Sequence, residues 1–381
     1  MQTILFTDSI ATSLAPLLAQ LPADHIYVLT DENTARLCLP LVEPTLAPTG
    51  YRLITIPAGD EAKTIEQLTA VWHELSTTGA TRRSLLINIG GGMITDLGGF
   101  AAATFKRGIR FINIATSLLG AVDAAVGGKT GINFLGYKNE VGAFCEANAV
   151  VISAEFMHTL GRENLLSGYA EMLKHGLLSS EEYFQRLLAF DIEGFNTTSA
   201  TGAPHLGKGC QALTPDSLPR NAGNPAAAQL LPLLEESVSI KREVVRQDPH
   251  EQGIRRALNL GHTVGHAFES LALKQGRPVL HGYAVAWGLV CELILSHRQC
   301  GFPKEVLLTA ARFVRTHYGA PAISCKHYDT LVELMTHDKK NDSGFINFTL
   351  LRAVGDIAIN QTASREELDV MFDLFRELMG I

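Results

Sequence analysis

Four short apolar runs, with helix-length stretches between them, constrain this chain more than any other feature. They are His25–Thr30 (HIYVLT), Tyr51–Pro57, Ser84–Ile89 (SLLINI) and Phe111–Ala115 (FINIA), and residues 61–78 have helical periodicity. Strand-sized runs alternating with helices predict a parallel sheet covered on both faces, because parallel neighbours need a crossover between them. In such sheets ligands bind beyond the carboxyl ends of strands. Asp31, Gly90-Gly91-Gly92 and Thr116-Ser117 all fall at such ends. After residue 153 the strand signal fades. Helical spacing runs through 155–190, 229–247, 256–275, 281–299, 303–317 and 364–379, with one late strand at Phe345–Leu351. The expected class is α/β plus all-α, with a parallel-sheet domain over 1–153 and a mainly helical domain over 154–381. Residues 196–228, rich in Ser, Thr, Gly, Pro, Asn and Ala, read as a flexible insertion that can bury little apolar surface.

Composition narrows the function classes. The net charge of −7 argues against a partner made of nucleic acid, which would need a basic surface. No apolar run is long enough to span a bilayer, and the start MQTILFTDSIATSL has no secretory pattern, so no membrane partner is expected. The six cysteines contain no CxxC pair, which fits a reducing cytoplasm. A metal, if bound, would be held by histidines and carboxylates.

Several motifs carry chemistry. GGGMITDLGGF at 90–100 follows a strand and opens a helix, so its backbone can approach a pyrophosphate and offer free amides to it. The spacing is not GxGxxG, and a tight turn alone would also explain the glycines. Asp96, just inside that helix, could meet a hydroxyl. PAGDEAK at 57–63 holds Asp60 and Glu61, which helix capping alone would explain. AVDAAVGGKTGIN at 121–133 carries Asp123 and Lys129, and GYKNEVGAF at 136–144 carries Lys138 and Asn139. Together they suit a phosphate or polyol pocket. LNLGHTVGHAFE at 258–269 spaces His262 and His266 four apart on one helical face, without the glutamate of HExxH. His281 opens an apolar helix, and GYAEMLKHG at 168–176 places Glu171 and Lys174 three apart. A carboxylate with two histidines would leave a metal an open position, as catalytic sites do. A lone surface histidine is the bland alternative for each. Lys241, Arg246, Arg255, Arg256 and DKKND at 338–342 could bind phosphate and carboxylate, or make surface ion pairs.

Taken together, these segments resemble the 3-dehydroquinate synthase family of sugar-phosphate cyclases from about Tyr27 to Ala358. The motifs that carry the likeness are PAGDEAK, GGGMITDLGGFAAATFKRG, VDAAVGGKTGIN, YKNEVGAF, SGYAEMLKHG, KREVVRQD, LNLGHTVGHAFE, LHGYAVAWG and DKKND. The resemblance implies a Rossmann-like NAD domain followed by a helical metal-binding domain. It implies metal ligation by Glu171, His262 and His281, with one zinc or cobalt ion per subunit. It implies NAD contacts at Asp31, Asn33, Asp60, Lys63, Gly91, Gly92, Met93, Asp96, Thr116, Ser117, Lys138 and Thr159. It implies both cofactor and substrate contacts for Asp123 and Lys129. Substrate groups would be Arg107, Lys129, Asn139, Lys174, Lys241, Arg255, Asn259, His266 and Lys339 of the 339–340 pair. Arg107 would reach across a homodimer interface.

The implied reaction converts 3-deoxy-D-arabino-heptulosonate 7-phosphate to 3-dehydroquinate and phosphate. It runs by transient oxidation at C5 by NAD, phosphate elimination, re-reduction and intramolecular aldol closure. Asp60 stands where the family usually has Glu, Ala115 where a proline is common, and Thr116-Ser117 where threonines are paired. The 196–228 segment has no counterpart in the family pattern. A sister cyclase, such as a 2-deoxy-scyllo-inosose or 2-epi-5-epi-valiolone synthase, would be expected to differ at Asn259 and His266. A polyol dehydrogenase would need none of the cations, and an inactive binding protein would not need the whole ligand set.

Overall fold

The computed structural model describes residues 2–135, 137–199, 225–336 and 346–381. Lys339, with the rest of the DKKND segment, lies outside the described residues, as do 200–224 of the expected insertion. The borders of that segment are helical, since helices Ile192–Ser199 and Pro225–Gln247 run into it from either side. The described residues divide into two compact units. One is drawn from 1–165 and 191–238, the other from 166–190 and 239–381.

The first unit is built on a six-stranded sheet. Its strands in chain order are β1 (Thr3–Thr7), β2 (Ile26–Asp31), β3 (Arg52–Ile56), β4 (Leu85–Gly90), β5 (Arg110–Ala115) and β8 (Ala149–Ser153), with spatial order β1-β8-β5-β4-β2-β3. All neighbours are parallel. Every residue of β4 and β8 is buried, as expected for strands covered on both faces. Val28, Ile87, Ile89, Ile112, Ile114 and Val151 form the centre of one apolar core.

From β2 the chain moves outward to β3, then returns to β4 and proceeds the other way to β5. The strand order therefore reverses between β2 and β4, and a ligand crevice opens beyond the carboxyl ends at such a reversal. Asp31 ends β2 and Gly90 ends β4.

Three strands of this unit carry little sequence signal. Edge strand β1 is only partly buried and mixed in pattern. The hairpin strands β6 (Lys129–Phe134) and β7 (Tyr137–Phe144) pair antiparallel, and β7 is exposed along nearly its whole length, so no alternation marks it.

Among the described residues the second unit is helical apart from one antiparallel hairpin, β9 (Phe348–Ala353) and β10 (Asp356–Gln361). The helical stretch expected over 155–190 is three helices, Ala154–Met157, Arg162–Ser179 and Glu181–Ala189. The first belongs to the other unit. Ser180 stops the second and caps the third, its hydroxyl accepting the Tyr183 N–H at 3.2 Å. The stretch expected over 256–275 begins its α-helix only at His262, because Gly261 takes a left-handed backbone with φ 80. No described helix is long and apolar enough to cross a membrane.

Candidate active site

In the first unit the turn after β4 is shaped by close approach. Gly91 caps the helix Gly92–Thr104 without offering a side-chain acceptor. The first-turn amides of that helix therefore have no side-chain cap, and they sit at the positive end of its dipole, a place for an anion. A Cβ on Gly91 would lie 2.8 Å from Ser117 Oγ, and one on Gly92 would lie 3.1 Å from Ala124 Cβ. The Thr116 N–H donates to the Gly90 carbonyl at 3.0 Å, and Ser117 Oγ accepts the Gly120 N–H at 3.0 Å. The turns after β4 and β5 are thus one piece. Met93 is in the first helical turn, and Asp123 lies in a π-helical turn, Gly120–Ala124, a geometry frequent at functional sites.

Asp31 Oδ1 accepts the N–H groups of Asn33 at 2.8 Å and Thr34 at 2.9 Å, so it caps the helix Glu32–Leu37. Cys38, which the sequence did not single out, gathers the other members. Its Sγ lies 3.8 Å from Thr159 Oγ1. Burial pushes its thiol up to about 12, against the Thr159 and Thr116 hydroxyls, with the Asp31 charge adding to the rise.

A second cluster forms on the hairpin. Lys63 is 3% exposed, and its Nζ donates to Asp96 and to Asn139 Oδ1. Lys138 pairs with Asp60 at 3.2 Å. Asn139 has a left-handed backbone with φ 52, and its N–H donates to Asn133 Oδ1 at 3.0 Å. Asn133 Nδ2 in turn donates to the Asp60 carbonyl at 3.1 Å. Asp60, Lys63, Asp96, Lys138 and Asn139 are therefore one connected group, and Asn133 is a member that sequence reasoning missed. Lys129 stands exposed at the start of β6, and Arg107 is exposed with φ 66, next to Lys106 with φ 50.

In the second unit three helices meet backbone to backbone. A Cβ on Gly282 would lie 1.8 Å from the Ser167 carbonyl oxygen, and one on Gly265 would lie 3.0 Å from that of Ala284. These glycines bring together the helices Arg162–Ser179, His262–Lys274 and His281–Cys300. His262, His266 and His281 then place one ring nitrogen each within 4.8 Å of one another, a set that could hold a metal ion. Glu171 completes the surroundings. Its Oε1 faces His262 Nε2 at 3.4 Å and His281 Nε2 at 3.5 Å, while Oε2 accepts from the Lys174 ammonium. His266 thus stands with the three residues the resemblance assigns to a metal.

Glu171 and Lys174 are 0% and 1% exposed, a buried charge pair in a setting where isolated charges are costly. Oε1 is fully buried, and no donor meets it with hydrogen-bond geometry. A divalent cation between it and the histidine nitrogens would satisfy that oxygen, so the residues fit such an ion. Burial alone would raise the Glu171 carboxyl, but the Lys174 ammonium, then His262 and His281, hold it well below the usual carboxylate range. Burial disfavours the charged form of His281, yet Glu171 and Glu269 carry it up to about 9. Glu269, at 3.4 Å from His281 Nδ1, is the carboxylate that orients the ring, a partner commonly found behind a metal-bound histidine.

The remaining cations separate by burial. Lys241 and Arg255 are buried, and Arg255 Nη1 donates to the Pro249 carbonyl at 2.6 Å. Asn259 Nδ2 donates to Glu251 at 3.1 Å. Arg246 instead makes an exposed pair with Glu243 at 2.6 Å, which brings that carboxyl down to about 2. Arg256 reaches Asn360 at 2.9 Å. Both partners lie on the surface, and for Arg246 this is the surface ion pair that the sequence left open.

The order and spacing of these motifs are matched elsewhere. The family described as 3-dehydroquinate synthase N-terminal matches residues 53–167, and that described as 3-dehydroquinate synthase C-terminal matches 168–341. A 3-dehydroquinate synthase from Parabacteroides distasonis is 48% identical over 380 residues, covering 100% of this chain and 99% of the relative. Among solved structures, a 2-epi-5-epi-valiolone synthase from Streptomyces hygroscopicus, with NAD+ and Zn2+ bound, has a TM-score of 0.79. It is 24% identical, and the match covers 99% of this chain and 97% of that one. A glycerol dehydrogenase from Schizosaccharomyces pombe has a TM-score of 0.66 at 12% identity, covering 100% and 90%. The last two share the fold, whereas the identity along the whole length and the paired matches are specific: the chain belongs to the 3-dehydroquinate synthase family.

Proposed function

We propose that this chain is a lyase that converts 3-deoxy-D-arabino-heptulosonate 7-phosphate to 3-dehydroquinate and phosphate, a step of the shikimate pathway. The observation that carries this reading is the company around Glu171. Three histidine nitrogens that could hold one cation are grouped there, two of them beside its buried Oε1, and the same unit buries Lys174, Lys241 and Arg255. Buried cations suit a substrate bearing phosphate and carboxylate. A neutral polyol would have no charge to match theirs.

NAD would be held by residues of 1–153, with its pyrophosphate at the glycine turn of Gly91, Gly92 and Met93. Asp31, Asn33, Asp60, Lys63, Asp96, Thr116, Ser117, Asp123, Lys129, Lys138 and Thr159 would line its site. A zinc or cobalt ion, one per chain, would be held within 154–381 by Glu171, His262 and His281, with His266 in reach. Bound there, NAD supplies reversible hydride acceptance and the metal lowers the pKa of substrate hydroxyls. The chain's own residues do the rest. Lys174, Lys241, Arg255 and Lys339 bind anionic groups, Asn139 and Asn259 orient hydroxyls, and His266 holds or passes a proton. Fixing a flexible sugar acid in one pose accounts for much of the rate gain in such reactions. Arg107 completes the site of a second copy in a homodimer, and the enzyme works in the cytoplasm.

The test is phosphate release from 3-deoxy-D-arabino-heptulosonate 7-phosphate with catalytic NAD and zinc, with NADH absorbance followed in parallel. Many turnovers without NADH build-up, lost on chelation, are expected. Stoichiometric NADH or no phosphate would overturn the reading.

A further inference from the structure

Glu292 is fully buried in the middle of the helix His281–Cys300, between Cys291 and Leu293, which are buried as deeply. An acid in such a run is costly unless its oxygens are satisfied. They are satisfied on another helix. Oε2 accepts the Gly261 N–H at 2.6 Å, and Oε1 accepts those of Thr263 at 3.1 Å and Val264 at 3.3 Å. These amides open the helix His262–Lys274, which carries His262 and His266.

Gly261 caps that helix but has no side chain to accept from them, so the acceptor comes from Glu292. Glycines make the reach possible. A Cβ on Gly288 would lie 2.0 Å from the Gly261 carbonyl oxygen, and one on Gly261 would lie 2.7 Å from the Leu289 side chain. The residue just before His262 therefore rests on the helix that begins with His281, and Glu292 fastens it there.

We propose that Glu292 is a positioning residue for the histidine cluster. By holding the first turn of one histidine-bearing helix from within the other, it sets the distances among His262, His266 and His281. This inference rests on reading those histidines as a metal centre. Glu292 acts on the cluster through the backbone turn that flanks His262.

Cobalt(II) titration of the full chain, followed by its visible d–d absorption and by chelator competition, tests the proposal. Glu292→Gln, of equal shape but without the second acceptor, should weaken cobalt binding about 10-fold and shift the d–d bands, and Glu292→Ala about 100-fold, the range found when groups behind metal ligands are removed. Ser296→Ala is the control for simple loosening. It removes a buried hydroxyl of the same helix, which donates to the Glu292 carbonyl at 2.7 Å and accepts the Leu351 N–H at 3.0 Å. It should lower Tm and leave the cobalt spectrum and Kd unchanged. Unaltered bands and affinity in folded Glu292→Gln overturn the positioning role, as does an equal change in Ser296→Ala. If Glu292→Ala does not fold, Glu292→Gln decides. A wild-type chain that binds no cobalt overturns the metal centre itself, and the inference with it.

Discussion

The glycine turn after β4 and the histidine cluster prepare for charge by opposite means. The turn offers amides at a helix end, exposed by the absence of side chains at Gly91 and Gly92. It holds no net charge of its own and depends on sheet register for its shape. The cluster concentrates polar side chains, an ion pair among them, where water is excluded, with Glu171, Lys174 and His262 all buried. Its shape depends on each charge having a partner. Loss of one side chain beside a backbone site should therefore register as lost stability alone, whereas a site of buried charges should change its chemistry when any member is removed.

The largest expected effect breaks the second site outright. His262→Ala should abolish bound metal and lower activity by at least about 100-fold, with the fold retained by circular dichroism. Metal analysis of the purified variant checks it, and full activity would remove His262 from the centre. An intermediate effect sharpens the contrast in the first unit. Asp96→Asn weakens the partner of the buried Lys63 ammonium, and urea unfolding should show a loss of about 2–3 kcal/mol. Cobalt affinity should not change. A variant that alters cobalt affinity instead would mean the two sites are not separable.

The smallest effect is the pH dependence of metal binding. His281, carried to about 9, must shed its proton to ligate, so affinity should fall roughly 10-fold per unit as pH drops below that value. In metal-free protein the sign is reversed. The raised pKa contributes stability that is complete below the ordinary value of 6.5 and lost as pH rises through about 9. Thermal melts of chelated protein across that window check it, and a stability that rises with pH would refute the raised value.

The legible parts of the molecule were those written in contiguous residues. HIYVLT, SLLINI and FINIA are strands because both their faces are buried, and the GGG turn is visible because only glycine fits against Ser117 and Ala124. The histidine pair of the GHTVGH segment showed by its spacing of four. Strand β7 was missed because its pattern is exposed throughout, and β1 because an edge strand is only partly covered. Asn133 was missed because its role is to receive the Asn139 N–H and hold Asp60, a relation set by the hairpin's pairing and not by any local pattern. Glu292 did leave a signal, an acid inside the apolar run LVCELIL, but nothing local says which amides it meets. The nearness of Glu171 to His281 joins residues far apart in the chain and had no local signature at all.

The chain enters the second unit at Leu166, leaves it after Phe190 and returns at Ser239. Glu171 is thus made in the first visit, and all three histidines in the second. Between the two visits the described part of 191–238 packs with the sheet unit. A single cut before Leu166 would keep the carboxylate with the histidines but would carry off 191–238 from the sheet unit, so no one cut frees both units whole.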